Sequence, residues 1–177
     1  LFYLTQAILQ KTKELFTRIN PALVIVQGDT TSAMAASLAA FYLHIPVAHI
    51  EAGLRTDTIM SPFPEEMNRR FVGMLASYHF APTVTAAAAL RAEGVQREAV
   101  FCVGNTVVDT LRLAHARCAD GTFVARADLV TRITACKKSG IQIMLLTMHR
   151  RESFDGGITR VLCAVAAFLR EHPNVFC

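Results

Sequence analysis

The sequence is poor in charged residues and has no long uninterrupted apolar run, and both absences exclude classes of protein. Charged residues make up 18% of the 177 residues and hydrophobic residues 53%. This balance excludes a disordered chain and is typical of α/β proteins with buried strands. The longest apolar tract, residues 33–50, is interrupted by Ser37, His44 and Pro46. It therefore predicts a helix followed by a strand rather than a membrane span.

The sequence also lacks the marks of nucleic-acid binding, disulfide bonding and secretion. A net charge of +4 is too small to indicate a nucleic-acid partner. The five cysteines are an odd number without a Cys-x-x-Cys pair, which is typical of reduced residues in a cytosolic protein. No basic start followed by an apolar segment and a cleavage site is present, so nothing indicates secretion.

Several sequence motifs that are typical of a particular chemistry are missing. The chain has no Gly-x-Gly-x-x-Gly, Walker, Gly-x-Ser-x-Gly or His-Glu-x-x-His sequence, and no cluster of Cys and His ligands. We therefore predict no metal site.

What the sequence does contain is a regular alternation of strands and helices. Short apolar runs predict strands at residues 22–26, 46–50, 78–81, 99–103 and 141–146. Helical patterns lie between them, and this alternation predicts a doubly wound parallel sheet. A right-handed crossover makes the first two strands parallel. We place a domain boundary near residues 104–106, so that residues 1–104 form a partial first domain and 105–177 begin a second.

Two carboxylates come directly after the first two predicted strands. Asp29 follows the strand at 22–26 and Glu51 follows the strand at 46–50. Adjacent parallel strands lie about 5 Å apart, and open parallel sheets bind ligands at the strands' carboxyl ends. Both carboxylates are therefore expected to face one crevice. Asp29 alone could instead be a helix N-cap or an Asx-turn residue.

Charge is concentrated in residues 49–70, HIEAGLRTDTIMSPFPEEMNRR. A helix is predicted to begin after the prolines, with Glu65 and Glu66 in its first turn, where the helix dipole favours carboxylates. The alternative is a solvated loop followed by a well-capped helix. Proton transfer on an anionic ligand would suit Asp29, Glu51 and either Glu65 or Glu66.

A basic cluster lies at the corresponding place in the second predicted domain, between a strand and a helix. His149 and Arg150 follow the strand at 141–146 and precede a helix predicted at 158–169. Arginine makes bidentate phosphate contacts, and histidine can bind phosphate or relay a proton. The alternative is a solvated basic loop. Taken together, the residues predict an α/β enzyme that acts on an anionic small molecule.

Four strings, in this order, strongly resemble the non-hydrolysing UDP-N-acetylglucosamine 2-epimerases of bacteria: GDTTSAMAASLAAFYLHIPVAHIEAGLRT, SPFPEEMNRRFVGMLASYHFAPT, VGNTVVDTL and HRRESF. The resemblance covers nearly the whole chain. It implies a GT-B-like architecture of two Rossmann-like domains, both incomplete here, with a UDP-sugar in the cleft between them. It also implies reversible conversion of UDP-N-acetylglucosamine to UDP-N-acetylmannosamine, by elimination and re-addition of UDP, for cell-surface polysaccharide.

The resemblance further implies roles for individual residues. Asp29, Glu51 and Glu65 match the family's acidic catalytic positions, and His149 matches its catalytic or diphosphate-contacting histidine. Arg150 is implied as a phosphate contact and Arg69 as a residue that shapes the substrate site. No redox cofactor is implied. We expect the full-length protein to be a cytoplasmic homodimer that binds neither nucleic acid nor membranes.

Some family segments have no counterpart here, namely an opening strand with a Gly-Thr-Arg-Pro-Glu segment and later Ser-Gly-Gly and Glu-Glu segments. We therefore expect this chain alone not to turn over. Two other functions stay open. One is a hydrolysing epimerase or a UDP-sugar glycosyltransferase of the same fold, and the other is a truncated, non-catalytic relative that binds UDP-sugars.

Overall fold

The computed structural model describes residues 1–123, 125–148 and 156–177. These residues divide into two compact units, Leu1–Thr110 and Leu111–Cys177. The first unit contains α1 (Phe2–Ile19), β1 (Val24–Gln27), α2 (Thr31–Tyr42), β2 (Val47–Ile50), α3 (Glu65–Leu75), β3 (Tyr78–Ala81), α4 (Val84–Ala92), a short 3-10 turn (Arg97–Ala99), β4 (Val100–Cys102) and the start of α5 (Thr106–Ala119).

The four strands of the first unit form one parallel sheet in the order β1-β2-β3-β4. The register places Val26 beside His49, and His49 beside His79. Because all four strands run in the same direction, their carboxyl ends meet at one edge of the sheet. The segments after β1 and β2 therefore lie next to each other, as the parallel pairing expected from the sequence requires.

The core of the first unit lies between this sheet and the helices on one of its faces. Val26 and Val47 pack with Phe16 of α1, Val72 of α3 and three alanines of α2. The alanines allow α2 to approach the strands closely, because they have no side chain beyond Cβ. A second apolar cluster joins α4 to the ends of β3 and β4. Burial of apolar surface on this face stabilises the layer of helices on the sheet.

The second unit contains the rest of α5, then α6 (Ala127–Lys138), β5 (Gln142–Ile143), α7 (Gly157–Glu171) and β6 (Val175–Phe176). β5 and β6 pair in parallel through two residues each. Among the described residues of this unit, Cys136 alone is buried. Little apolar surface is therefore removed from water in this part of the chain.

The α/β fold class with a parallel sheet is confirmed. The strand at 78–81 has the bounds that the sequence predicts. The strand predicted at 141–146 is shorter, because β6 pairs with it only through Val175 and Phe176. The domain boundary near residues 104–106 stays a prediction.

Candidate active site

The carboxyl edge of the sheet brings together the turns that follow β1 and β2. The Gly28 N–H donates a hydrogen bond of 3.0 Å to the Ile50 carbonyl. Glu51 follows with a positive φ of 68°, a conformation that is uncommon for a residue with a side chain. A Cβ placed on Gly28 would stand 3.7 Å from Glu51 Oε2. The Glu51 carboxylate therefore lies against the turn that carries Asp29.

Asp29 is held by the helix that begins after the prolines. Its Oδ2 lies 2.8 Å from Arg69 Nη2 of α3, and its main-chain carbonyl accepts a hydrogen bond of 2.9 Å from Asn68 Nδ2. The N-cap of α2 is Thr30, whose hydroxyl accepts a hydrogen bond from the Ala33 N–H. The Asp29 side chain therefore does not cap α2 and instead forms an ion pair with Arg69.

His49 supports the same turn from inside the sheet. The side chain is fully buried, and its Nε2 lies 2.8 Å from the Gly28 carbonyl oxygen. Burial lowers the pKa of His49 from 6.5 to about 4, although the bond to Gly28 opposes that shift. The ring is therefore neutral at pH 7. Because a carbonyl only accepts, Nε2 carries the proton and donates it to Gly28.

A second buried carboxylate, Glu66, lies behind Arg69. Its side chain is 0% exposed, accepts two hydrogen bonds and forms an ion pair with a second arginine. The Thr56 N–H donates to Oε2 over 3.1 Å, and Arg70 Nε donates to Oε1 over 2.6 Å. Arg69 Nε lies 3.5 Å from Oε2, which is an ion pair too long for a good hydrogen bond. Glu66 thus joins α3 to the loop between β2 and α3.

The ion pairs continue from Arg70 to the end of α4. Arg70 Nη1 lies 3.8 Å from Glu93 Oε1. Arg55 donates to both Glu93 oxygens over 2.7 Å, which holds the pKa of the Glu93 carboxyl below its ordinary value. Six alternating charges therefore form one chain, in the order Asp29, Arg69, Glu66, Arg70, Glu93, Arg55.

Glu65, like Glu51, is a predicted catalytic carboxylate whose side chain has no hydrogen bond or ion pair among the described residues. It occupies the first turn of α3 and is partly exposed. No hydrogen bond or ion pair joins its side chain to another residue of the described ranges. His149 and Arg150 lie outside the described residues. The structure therefore brings Asp29, Glu51 and Arg69 together at one edge of the sheet. It places Glu65 in the same helix as Arg69 but gives its side chain no hydrogen bond or ion pair with them.

Glu66, His49 and Asn68 support the site. The sequence predicted Glu66 only as the alternative to Glu65 for proton transfer, and it predicted no function for His49 or Asn68. The spacing of Glu66 from Arg69 and Arg70 was a usable signal, because residues three and four apart share one face of a helix. No local signal marks His49 or Asn68. Their contacts join positions 21 and 39 residues apart in the chain.

No helix in the described ranges has the length and apolarity that a membrane crossing requires. Nor do three His, Cys, Asp or Glu side chains of these residues gather where they could hold a metal ion. What the edge does offer is two partly exposed carboxylates, Asp29 and Glu51, on main chain that the sheet and α3 fix. Positioned carboxylates of this kind can take or give a proton on a bound ligand.

Comparison with known families identifies relatives of the whole chain. A family model described as UDP-N-acetylglucosamine 2-epimerase matches residues 1–177. The UDP-N-acetylglucosamine 2-epimerase of Yersinia pestis is 44% identical over 172 residues, which cover 97% of this chain and 45% of that protein. The Salmonella typhimurium protein of the same name is 42% identical over 174 residues, covering 97% and 45%. The chain thus spans about 45% of these relatives' length.

Solved structures give the same result. The Neisseria meningitidis UDP-GlcNAc 2-epimerase, bound to UDP-GlcNAc, is 34% identical with a TM-score of 0.83, covering 97% of this chain and 45% of that one. The Staphylococcus aureus protein MnaA, with UDP, is 34% identical with a TM-score of 0.84, covering 98% and 44%. These likenesses confirm the α/β, GT-B-like fold class expected from the sequence.

Proposed function

Because this chain belongs to the UDP-N-acetylglucosamine 2-epimerase family, we propose that the protein that contains it interconverts UDP-N-acetylglucosamine and UDP-N-acetylmannosamine. The family match over all 177 residues is the observation that carries the proposal. The juxtaposition of Asp29 and Glu51 at one edge of the parallel sheet supports it, because inversion at a carbon needs an acid and a base held at fixed positions. UDP-GlcNAc in the Neisseria relative supports the substrate class.

The proposed reaction is elimination followed by re-addition. A carboxylate takes the C2 proton, the bond from C1 to the UDP oxygen breaks, and UDP leaves with the electron pair. UDP then adds back to C1 of the 2-acetamidoglucal, and a proton is delivered to C2 from the other face. Asp29, Glu51 and Glu65 are the proposed acids and bases. Arg69 shapes the sugar site, while His149 and Arg150 bind the diphosphate.

Deuterium exchange tests the reaction directly. The protein that contains this chain, at its full natural length, is incubated with UDP-N-acetylglucosamine in heavy water. Deuterium should enter C2 of both epimers, because each passage through the intermediate replaces that proton from solvent. Absence of deuterium from both sugars would refute the proposal. Free N-acetylmannosamine as the product would instead favour a hydrolysing epimerase, and transfer to an acceptor would favour a glycosyltransferase.

Three substitutions test the proposed roles. Asp29→Asn, Glu51→Gln and Glu65→Gln should each lower kcat by about 100-fold or more, the usual effect of removing a general acid or base. Glu14→Gln is the matched control, because Glu14 is an exposed carboxylate of α1 that pairs with Lys11. Rates near that of the control in all three variants would leave the assignment without support.

The proposal includes a homodimer, a cytoplasmic location and a place in polysaccharide synthesis. An apolar groove of about 1300 Å³ runs along α1 and α2, lined by Phe2, Leu9, Tyr42 and Phe63 among others. Exposed apolar surface of this kind favours association. Sedimentation of the full-length protein tests the dimer.

All five cysteines are unpaired in the described structure, which fits a reducing compartment.

A further inference from the structure

Glu66 combines full burial with two hydrogen-bond donors, Thr56 N–H and Arg70 Nε, and with an ion pair to Arg69, the arginine that pairs with Asp29. Its side chain is 0% exposed, and Oε2 lies 3.5 Å from Arg69 Nε. Arg69 Nη2 in turn lies 2.8 Å from Asp29 Oδ2. Asp29 and Glu66 are the two carboxylates that pair with Arg69 in the described part of the chain. The Arg69 guanidinium therefore lies between the buried Glu66 carboxylate and the Asp29 carboxylate and pairs with both.

The contacts of the Arg69 guanidinium explain why Glu66 affects the position of Arg69. Arg69 Nε is buried and has no hydrogen-bond partner within the described residues. Attraction to Glu66 is therefore electrostatic at this nitrogen, and burial strengthens it because the surroundings screen charge poorly. Without that attraction, Asp29, whose side chain is 30% exposed, is the one carboxylate that still pairs with the Arg69 guanidinium within the described ranges.

We propose that Glu66 is a positioning residue, whose buried carboxylate holds the Arg69 guanidinium against Asp29 and so fixes the direction of the Asp29 carboxylate. The importance of that direction for catalysis rests on the proposed function. Charge, rather than shape, carries the effect. A glutamine at this position can still accept from the Thr56 N–H, but its neutral amide removes the negative charge that Arg69 and Arg70 share. Asp29 and Glu93 then remain as the carboxylate partners of these two arginines among the described residues.

A structural explanation of Glu66 also exists, and it makes a different prediction. Glu66 and Arg70 together bind the main chain of Thr56, since Arg70 Nη2 donates to the Thr56 carbonyl over 3.1 Å. If anchoring of this loop were the whole role of Glu66, Arg70→Gln would be as harmful as Glu66→Gln. Among the described residues, the Arg70 side chain bonds to Glu66, Glu93 and Thr56, and no hydrogen bond or ion pair joins it to Asp29.

The kinetic test compares three variants of the full-length protein in the deuterium-exchange assay. Glu66→Gln should lower kcat by about 100-fold, as misplacement of a reacting group by about 1 Å does, with KM changed by less than about threefold. Arg70→Gln should lower kcat by less than about fivefold. Glu93→Gln, the matched control, removes another arginine-paired carboxylate of the same chain of charges and should keep the wild-type rate. Equal losses for Glu66→Gln and Arg70→Gln, or a wild-type kcat for Glu66→Gln, overturn the proposal.

If Glu66→Gln does not fold, Glu66→Asp replaces it. Aspartate keeps the charge but is one methylene shorter, so a folded variant should lose about tenfold in kcat, since the charge is kept and only the guanidinium is displaced. A folded Glu66→Asp variant with wild-type kcat overturns the proposal.

A second measurement needs no activity and so separates the two proposals. The urea midpoint is measured for Asp29→Asn, Glu66→Gln and the double variant, with and without Arg69→Met. If Glu66 positions Asp29 through Arg69, the change in urea midpoint of the double variant should differ from the sum of the changes of the two single variants. When Arg69 is replaced by methionine, the change of the double variant should equal that sum. Additive shifts in the wild-type background overturn the positioning role. Non-additive shifts in a protein that exchanges no deuterium leave that role standing and refute the proposed function.

Discussion

His49 makes the stability of the first unit depend on pH. Its pKa is about 4 in the folded protein and 6.5 ordinarily, mainly because burial disfavours the charged ring. The unfolded chain therefore binds more protons than the folded one between these values. The stabilisation is fully present above pH 6.5 and is lost as the pH falls towards 4, by up to about 3 kcal/mol. Burial also lowers the pKa of the neighbouring His79, which adds to the effect.

Urea unfolding at a series of pH values checks this prediction. The free energy of unfolding should fall between pH 6.5 and 4 in the wild type and fall less steeply in His49→Gln. Gln keeps a side-chain N–H for the Gly28 carbonyl but does not titrate. His115→Gln, on exposed α5, is the control and should keep the wild-type slope. An unchanged slope in His49→Gln would show that other groups cause the dependence.

Gly53 is a position where any side chain meets the main chain of α4. Its φ is +86°, and an added Cβ would lie 2.2 Å from the Ala86 carbonyl oxygen. Gly94 has a similar φ of +92°, but nothing lies within 4 Å of its Cβ position. Gly94→Ala should therefore cost about 1 kcal/mol from its backbone conformation alone. Gly53→Ala should cost about 3 kcal/mol or more, because overpacking adds to that strain.

Urea denaturation of the two alanine variants separates strain from packing. The difference between them gives the cost of the contact with α4, because the two glycines share a backbone region. Equal losses would mean that the loop moves away from Ala86 at little cost. Glu51 precedes this glycine by two residues, so a large cost would show that the loop that carries Glu51 has little freedom to shift.

At the scale of elements, two helices that follow strands of the sheet begin with the same cap. Thr30 accepts a hydrogen bond from the Ala33 N–H at the start of α2, and Thr83 accepts one from the Ala86 N–H at the start of α4. Thr83→Ala should cost about 1 kcal/mol in unfolding free energy, the usual value of an N-cap. Thr83→Ser keeps the hydroxyl and should cost little. A serine variant as unstable as the alanine variant would attribute the loss to the methyl group.

Most of the helices and strands could be predicted from the sequence, because their signals are local. The apolar run at Tyr78–Ala81 ends at Pro82, and Gly94 ends α4 with a φ of +92°. Strand length in the second unit could not be predicted, because it depends on which residues of a distant strand pair. The sheet order likewise follows from packing, although the parallel pairing of β1 and β2 follows from the crossover rule.

The site was predictable in part for a similar reason. The positions of Asp29 and Glu51 follow from strand ends, which the apolar runs mark. The pairing of Asp29 with Arg69 joins residues 40 positions apart, and no periodicity in the sequence predicts this pairing. Glu65 and Glu66 are neighbours with equal propensities, yet the helix turns one towards the core and leaves the other partly exposed. Only the tertiary fold distinguishes them, and the role of Glu65 stays a prediction.

At the scale of the whole chain, the two units differ in how much they bury. In Leu1–Thr110 the sheet face and its helices enclose two apolar clusters. In the described part of Leu111–Cys177, Cys136 alone is buried, and α7 leaves Val161 and Leu162 more than 40% exposed. Local opening is easiest where few apolar contacts are lost. The second unit should therefore open far more often than the first.

Hydrogen exchange measures this difference in the 177-residue chain. Main-chain amides of α7 should exchange at least about 100-fold faster than those of α2, because opening α7 exposes little apolar surface that is not already in water. Comparing helix with helix keeps the hydrogen-bond pattern the same, so the contrast reports packing. Amides of β1–β3 should be protected as well as those of α2, since strands and helix share one core. Equal protection of α2 and α7 would mean that burial does not set the stability of these units.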